Sequence, residues 1–189
     1  MVLPVAYMAP ADWYKMYLTD PEHTEIEGLE SFEKQTFRNR ALIELKGAYG
    51  HSDKCQKSKA SRIMLTVPVK KVEHKQLTRD IEISYQSRWR HQHWISLVSA
   101  YKHTPYFDYY KDFFAPYYEK EIRFLWDLNN ELHQIIMQLL QNSPTRIDGY
   151  SYCPTSDWRG AELNHCFGTG ESILTLLFEH GPETTKYLI

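Results

Sequence analysis

Large apolar residues recur at helical spacing through residues 88–140, the most regular pattern in the chain. Pro105 disfavours helix for the residue before it and suits the first turn of a new helix, so two aromatic-rich helices are predicted. The first carries a stripe of His91, Trp94, Val98 and Tyr101, and the second carries Phe107, Tyr110, Phe114 and Tyr117. An amphipathic helix over residues 124–140 follows. We expect this segment to cover the core or to form the wall of a binding cleft.

Short strands are predicted elsewhere in the chain, from an apolar run at residues 2–9 and from alternating apolar and polar residues at 34–45 and 63–69. These strands cover residues 2–9, 34–45, 63–69, 77–84, 146–153 and 184–189, with helices at 11–18 and before Gly181 and a surface loop at 47–61. A chain of 189 residues, 42% of them hydrophobic, suits one domain with a sizeable core. We predict a single α/β domain over residues 1–189. Its central sheet should be mixed or mostly parallel, flanked by helices, and should include the strands near 3–9 and 63–69.

Residues 34–45 contain the most informative polar pattern. Read as a strand, they place Lys34, Arg38 and Arg40 on one face, opposite an apolar face that begins at Phe37. Three neighbouring cations repel one another unless water or an anion lies between them, and arginine suits phosphate or carboxylate. We therefore predict one electropositive surface that opens into a cleft. The alternative is a solvated basic face.

Composition narrows the class of protein. The formal net charge is -2, which disfavours nucleic acid as a partner and makes any anion site local. The three cysteines form no disulfide framework and suit a reducing compartment. No apolar run reaches the length of a membrane helix and no secretory signal is found, so a cytoplasmic location is expected. Cys153, His165 and Cys166 lack the paired spacing of a zinc site, and no metal or cofactor is predicted.

Three further groups have both a structural and a functional interpretation. His91 is either a hydrogen-bonded, partly buried residue or a general acid–base group. Asp127 lies near the start of its helix, where it either caps the helix or acts in catalysis. Gly168 and Gly170 belong to a glycine-rich turn before the last helix, which either only starts that helix or presents N–H groups to an anion. The turn falls short of any nucleotide-binding fingerprint.

Several segments in the same order resemble the WbqC-like protein family. They are YMAP at 7–10, EKQTFRNR at 33–40, LTVPVKK at 65–71, LTRDIEIS at 77–84, WRHQHWISLVSAYKHTPYFDYY at 89–110, YYEKEIRFLWDLN at 117–129 and GTGESIL at 168–174. The resemblance implies a small bacterial α/β protein associated with O-antigen and other surface polysaccharides, with a sugar-modifying or transferase role. The chain departs from the family in a longer 47–61 loop and in ending soon after Tyr187, where relatives continue.

The resemblance favours an enzyme that modifies, or transfers a group to, a phosphorylated or nucleotide-linked sugar. Under this hypothesis His91 and Asp127 are the catalytic candidates. The substrate-binding candidates are Lys34, Arg38, Asn39, Arg40, Lys70, Trp89, Tyr101, Tyr106, Gly168 and Gly170, with the aromatic residues stacking on a base or a sugar ring. The alternative is a non-catalytic binding or assembly protein that uses its aromatic face as an interface, for example in a homo-oligomer.

Overall fold

The computed structural model describes residues 2–45, 61–141 and 170–188. Short strands and longer helices alternate along these ranges. The strands are β1 (Val2–Pro4), β2 (Glu25–Glu27), β3 (Arg40–Leu45) and β4 (Ser61–Thr66). The helices are α1 (Ala11–Thr19), α2 (Trp89–Tyr101), α3 (Phe107–Phe114), α4 (Pro116–Glu119), α5 (Leu125–Gln141), α6 (Ile173–His180) and α7 (Thr184–Tyr187), with 3-10 turns at Thr78–Asp80 and Gly181–Glu183. The described part of the chain is thus a mixed α/β structure.

The named strands form two small sheets. Strand β1 pairs with β2 in parallel, and β3 pairs with β4 in an antiparallel hairpin. The prediction of one central sheet containing residues 3–9 and 63–69 is therefore wrong for the described residues, because these strands belong to different sheets. The strand predicted from residue 34 begins only at Arg40, since residues 34–39 form turns.

Residues 170–172 connect the N-terminal segment to the β3–β4 hairpin. The Ser172 N–H donates to the Leu42 carbonyl at 2.9 Å, and the Ala11 N–H donates to the Glu171 carbonyl at 3.0 Å. The Ile173 N–H also donates to the Ala9 carbonyl at 3.0 Å. Three segments that are distant in sequence therefore lie side by side, and the cleft described below is built where they meet.

Helix α2 buries a different face from the one predicted. Trp89, His93, Leu97, Ala100 and Tyr101 are its buried residues. His91 is exposed, although its predicted stripe partner Tyr101 is buried. Rings lie on two neighbouring faces of this helix, so two stripes satisfy helical spacing. Packing against β3 and α4 selects the face that contains His93.

The remaining elements agree with the sequence patterns in part. Helix α5 is the predicted amphipathic helix, and its inward residues belong to one hydrophobic cluster with the other buried side chains. Residues 77–84 were predicted as a strand but contain a 3-10 turn and single bridges, although Ile81 and Ile83 are buried on one face as expected. Residues 184–189 were predicted as a strand, but Thr184–Tyr187 is helical. The strand at 146–153 and the loop at 47–61 lie outside the described residues, apart from Ser61 at the start of β4.

None of the helices described is long and apolar enough to cross a membrane.

Candidate functional site

A cleft of about 330 Å³ lies where residues 8–10, the turns before β3 and residues 170–172 meet. Its lining consists of Met8, Pro10, Gln35, Thr36, Phe37, Arg40, Ala41, Leu42, Met64, Gly170 and Ser172. Most of these residues are apolar, and Arg40 is the only charged residue among the described residues of the lining. The cleft thus combines apolar walls with a single cation.

The Arg40 guanidinium is the chemically distinctive group of the cleft. Arg40 is half-buried at the first position of β3, and its Nε atom is buried without a hydrogen-bond partner among the described residues. Nor does any ion pair to Arg40 occur in that part of the chain. A buried N–H donor without a partner is costly, and a guanidinium fork suits a carboxylate or phosphate. An anion in the cleft would satisfy this donor.

Two residues of the cleft have left-handed backbone conformations. Met8 has φ 44° and Gln35 has φ 65°, in a region that L-residues other than glycine seldom adopt. The Met8 carbonyl accepts a hydrogen bond of 2.8 Å from the Ser172 hydroxyl, and its sulfur accepts one of 3.7 Å from the Tyr118 hydroxyl. Strained backbone of this kind clusters at binding and active sites.

The N-terminus of α6 borders the cleft, but its first N–H groups are already satisfied. Ser172 is the N-cap, and its hydroxyl accepts a hydrogen bond from the Leu174 N–H. The Ile173 and Thr175 N–H groups donate to the Ala9 and Ser172 carbonyls. Arg40 is therefore a stronger candidate for binding an anion than this helix end.

A buried polar network lies beside Met8. The Tyr7 hydroxyl is 2.9 Å from His93 Nδ1 and 3.1 Å from the Tyr118 hydroxyl. Burial lowers the pKa of His93 to about 4 and raises the pKa of the Tyr7 and Tyr118 hydroxyls. All three groups are therefore uncharged near neutral pH, and one of them, the Tyr118 hydroxyl, donates to the Met8 sulfur. Sequence reasoning chose His91 and missed His93, although His93 lies four residues from both Trp89 and Leu97.

Arg38 is not part of an electropositive surface, so that prediction is wrong. Its side chain is only 1% exposed, and its Nε and Nη2 atoms donate to the two Glu30 carboxylate oxygens at 2.6 and 2.7 Å. Glu33 lies 3.6 Å from Nη1. The turns at residues 34–39 break the alternation that would have placed Lys34, Arg38 and Arg40 on one face. Lys34 is exposed and does not line the cleft.

The other predicted binding residues are dispersed. Asn39 is buried, and its Nδ2 donates to the Val67 carbonyl at 3.1 Å. Lys70 is exposed and forms an ion pair of 2.5 Å with Glu82. Trp89 and Tyr101 are buried in the core, where the Tyr101 hydroxyl is 2.9 Å from Thr175 Oγ1.

Of the predicted residues that the structure describes, only Arg40 and Gly170 line the cleft together. Tyr106 lies instead on a separate, shallow aromatic surface. His91 and Asp127 are both exposed and neither lines the cleft, so the geometry does not assign them a catalytic role there. Gly168 lies outside the described residues.

Metal ligands are not gathered anywhere in the described ranges. Within residues 2–45, 61–141 and 170–188, no group of three His, Cys, Asp or Glu residues could hold a metal ion. Cys153, His165 and Cys166 lie outside these ranges. The described lining of the cleft contains no His, Cys, Asp or Glu. The chemistry that its side chains offer is recognition of an anion beside an apolar surface.

Comparisons with known proteins identify the family. No curated protein and no solved structure matches the chain. A family model described as the WbqC-like protein family matches residues 27–166, which is more than half of the 189-residue chain. The match includes Arg40 and the turns before it, whereas Met8, Gly170 and Ser172 lie outside it. The chain therefore belongs to the WbqC-like protein family.

Proposed function

We propose that the protein binds a small organic anion in the cleft, with Arg40 as the residue that recognises its charge. The observation that carries this proposal is the Arg40 Nε atom, which is buried beside the cleft without a partner among the described residues. A phosphate or carboxylate that accepts hydrogen bonds from the guanidinium would replace the water lost on burial.

The lining favours a ligand with one anionic group and an apolar part. Only one cation is present among the described lining residues, whereas a diphosphate would require more positive charge. Met8, Phe37 and Leu42 offer apolar contacts beside it. The volume of about 330 Å³ lies near the lower end of the range of about 300–1,000 Å³ that is usual for small-molecule sites. A monophosphorylated sugar or a carboxylated metabolite fits these features better than a full nucleotide sugar.

Family membership supports a biological setting for this binding. We propose that the ligand is an activated sugar, or a donor group, used in cytoplasmic synthesis of O-antigen-type surface polysaccharide. The transferase activity predicted from the sequence is part of the same proposal. Arg40 and Gly170 are its binding residues, and no catalytic role is given to His91 or Asp127.

Thermal unfolding in the presence of candidate ligands tests the proposal. A panel of monophosphorylated sugars, nucleotide sugars, acyl donors and amino acids is compared with the corresponding neutral sugars. A ligand that binds only the folded state raises the unfolding temperature. We expect the protein to respond to at least one anionic compound and more strongly than to its neutral counterpart.

Variants then assign the response to the cleft. Arg40→Gln removes the charge and should weaken binding of the responding anion about 10- to 100-fold, since a hydrogen bond to a charged group contributes about 1.5–3 kcal/mol. Arg62→Gln is the matched control, because Arg62 is exposed on the other strand of the same hairpin and does not line the cleft. Equal affinity in Arg40→Gln and wild type would refute the assignment.

An assembly role is the second candidate, and the shallow aromatic surface favours it. This surface consists of Pro105, Tyr106, Tyr109, Tyr110 and Pro182, and Tyr109 is 73% exposed. If it forms a homo-oligomer, the mass measured by sedimentation should rise with protein concentration, and Tyr109→Ser should abolish the rise. A monomer at all concentrations would exclude this self-association.

A further inference from the structure

A second groove lies between α5, α1 and β2, and its lining differs from that of the cleft that contains Arg40. It has a volume of about 510 Å³ and contains no charged residue among its described lining. Asn130, Gln134 and Gln138 follow one another at intervals of four residues along α5 and line one wall. Such residues lie on the same face of a helix, about 6 Å apart along its axis, so they form a row of amides.

The amides of this row are available to a ligand. Within the described ranges, none of Asn130, Gln134 and Gln138 has a side-chain hydrogen bond to the protein. Each amide carries two N–H donors and a carbonyl acceptor. The row therefore offers both kinds of hydrogen bond without attracting either sign of charge.

Aromatic rings supply the adjoining surface of the groove. His133 and Tyr17 both line it, with ring centroids 4.8 Å apart and nearly perpendicular planes. Tyr17 is fixed from behind because it stacks on Trp13 at 5.4 Å. Because its position is fixed, the Tyr17 ring provides a rigid apolar contact beside the row of amides.

His133 adds an uncharged hydrogen-bonding group. Its Nδ1 atom is 3.3 Å from the Tyr14 hydroxyl, and its ring packs against Trp13, Tyr14 and Tyr17. Burial lowers the pKa of His133 to about 4 and raises the pKa of Tyr14. Both groups are therefore neutral near pH 7, and the hydroxyl keeps its proton for a hydrogen bond.

We infer that this groove, between the Asn130–Gln134–Gln138 row and Tyr17, binds a neutral saccharide. A sugar ring presents hydroxyl groups that both donate and accept, as the amides do, and its C–H face can pack against an aromatic ring. A charged ligand would gain no ion pair in the described lining. The inference does not depend on anion binding by Arg40, because it rests on a different set of residues and a ligand without charge.

Nuclear magnetic resonance of the full chain tests the inference. Side-chain amide signals of 15N-labelled protein are recorded with glucose, galactose, N-acetylglucosamine, maltose and lactose, each up to about ten times a millimolar Kd. We expect the signals of Asn130, Gln134 and Gln138 to shift in a saturable way with at least one saccharide. If these signals do not respond to any saccharide, the inference is overturned.

Variants and one competing ligand sharpen the test. Gln134→Ala should weaken the responding saccharide about three- to tenfold, the factor expected for one neutral hydrogen bond. Gln92→Ala is the matched control, because Gln92 is also an exposed helical glutamine but lies on α2 and does not line the groove. Equal weakening by both variants would overturn the inference. So would an equal response to triglycine, which would assign the groove to peptides.

Discussion

At the scale of single residues, the Arg38–Glu30 ion pair is a structural element of the core. Both oxygens of Glu30 accept hydrogen bonds from a guanidinium that is only 1% exposed. Removing one partner of a buried pair leaves the other charge uncompensated. Arg38→Ala should therefore lower the free energy of unfolding by about 3 kcal/mol, measured by urea denaturation.

An arginine in an exposed ion pair would lose much less stability on replacement by alanine than we expect for Arg38. Lys70→Ala is the control, because it removes a cation from an exposed pair with Glu82 and should cost at most about 1 kcal/mol. A loss of stability in Arg38→Ala no larger than that in Lys70→Ala would contradict the structural role.

Gln35 allows the backbone strain at the cleft to be measured. Its side chain is exposed and its φ of 65° suits glycine, which has no Cβ to clash in the left-handed region. Gln35→Gly should therefore raise the free energy of unfolding by about 1 kcal/mol, as judged from the urea midpoint. Gln92→Gly, at the fourth residue of α2, should instead lower it by about 1 kcal/mol. Destabilisation by both changes would show that Gln35 is not strained.

At the scale of elements, Gly181 fixes the end of α6 against the start of α3. It has φ 54°, and a Cβ there would lie 2.4 Å from the Tyr106 ring. The Tyr106 N–H also donates to the Phe178 carbonyl at 3.1 Å. Gly181→Ala should therefore destabilise the protein by about 2 kcal/mol or more, through both the backbone strain and the clash.

A double-mutant cycle separates these two contributions. In a Tyr106→Ala background the ring is absent, so Gly181→Ala should cost only about 1–3 kcal/mol for the strained backbone, whose φ of 54° and ψ of -125° suit glycine. Thermal and urea unfolding of the four proteins give the coupling. An unchanged cost in the Tyr106→Ala background would mean that contact with the ring contributes nothing.

Local patterns predicted elements better than they predicted the site. The 3.6-residue period gave α5, and alternation placed the β4 strand close to its observed position at Ser61–Thr66. Alternation failed before Arg40 because residues 34–39 form turns, in which Arg38 is buried and paired with Glu30. The cleft could not be read from any one segment, since Met8, Arg40 and Gly170 meet only through long-range pairing.

At the scale of the whole molecule, two neutral histidines make stability depend on pH. The pKa values of His93 and His133 fall from an ordinary 6.5 to about 4 in the folded protein. The unfolded chain therefore binds more protons than the folded protein below pH 6.5. The contribution of the two neutral histidines to the free energy of unfolding is present in full above that pH and is lost as pH falls towards 4. We expect a slope of about 1.4 kcal/mol per pH unit for each histidine in this window.

Urea unfolding between pH 7 and pH 4 checks the slope and its origin. His93→Gln combined with His133→Gln should flatten it, whatever the stability of the variant at pH 7. His91→Gln, at an exposed histidine of the same helix as His93, is the matched control for the substitution itself. The carboxyl groups of Asp20, Glu82 and Glu183, whose pKa values are lowered, affect stability mainly below this window. A slope that persists in the double variant would assign it to other groups.

The hydrogen bonds of residues 170–172 to Leu42 and Ala11 also determine when the cleft can form during synthesis of the chain. A ribosome delivers Met8 and Arg40 long before Gly170 and Ser172, so the growing chain has the cation of the cleft but not its remaining wall. The complete cleft therefore arises only once this late segment has been released and has bonded between the two earlier ones. Nascent chains stalled before residue 170 should accordingly be unable to retain the ligand that the finished protein binds.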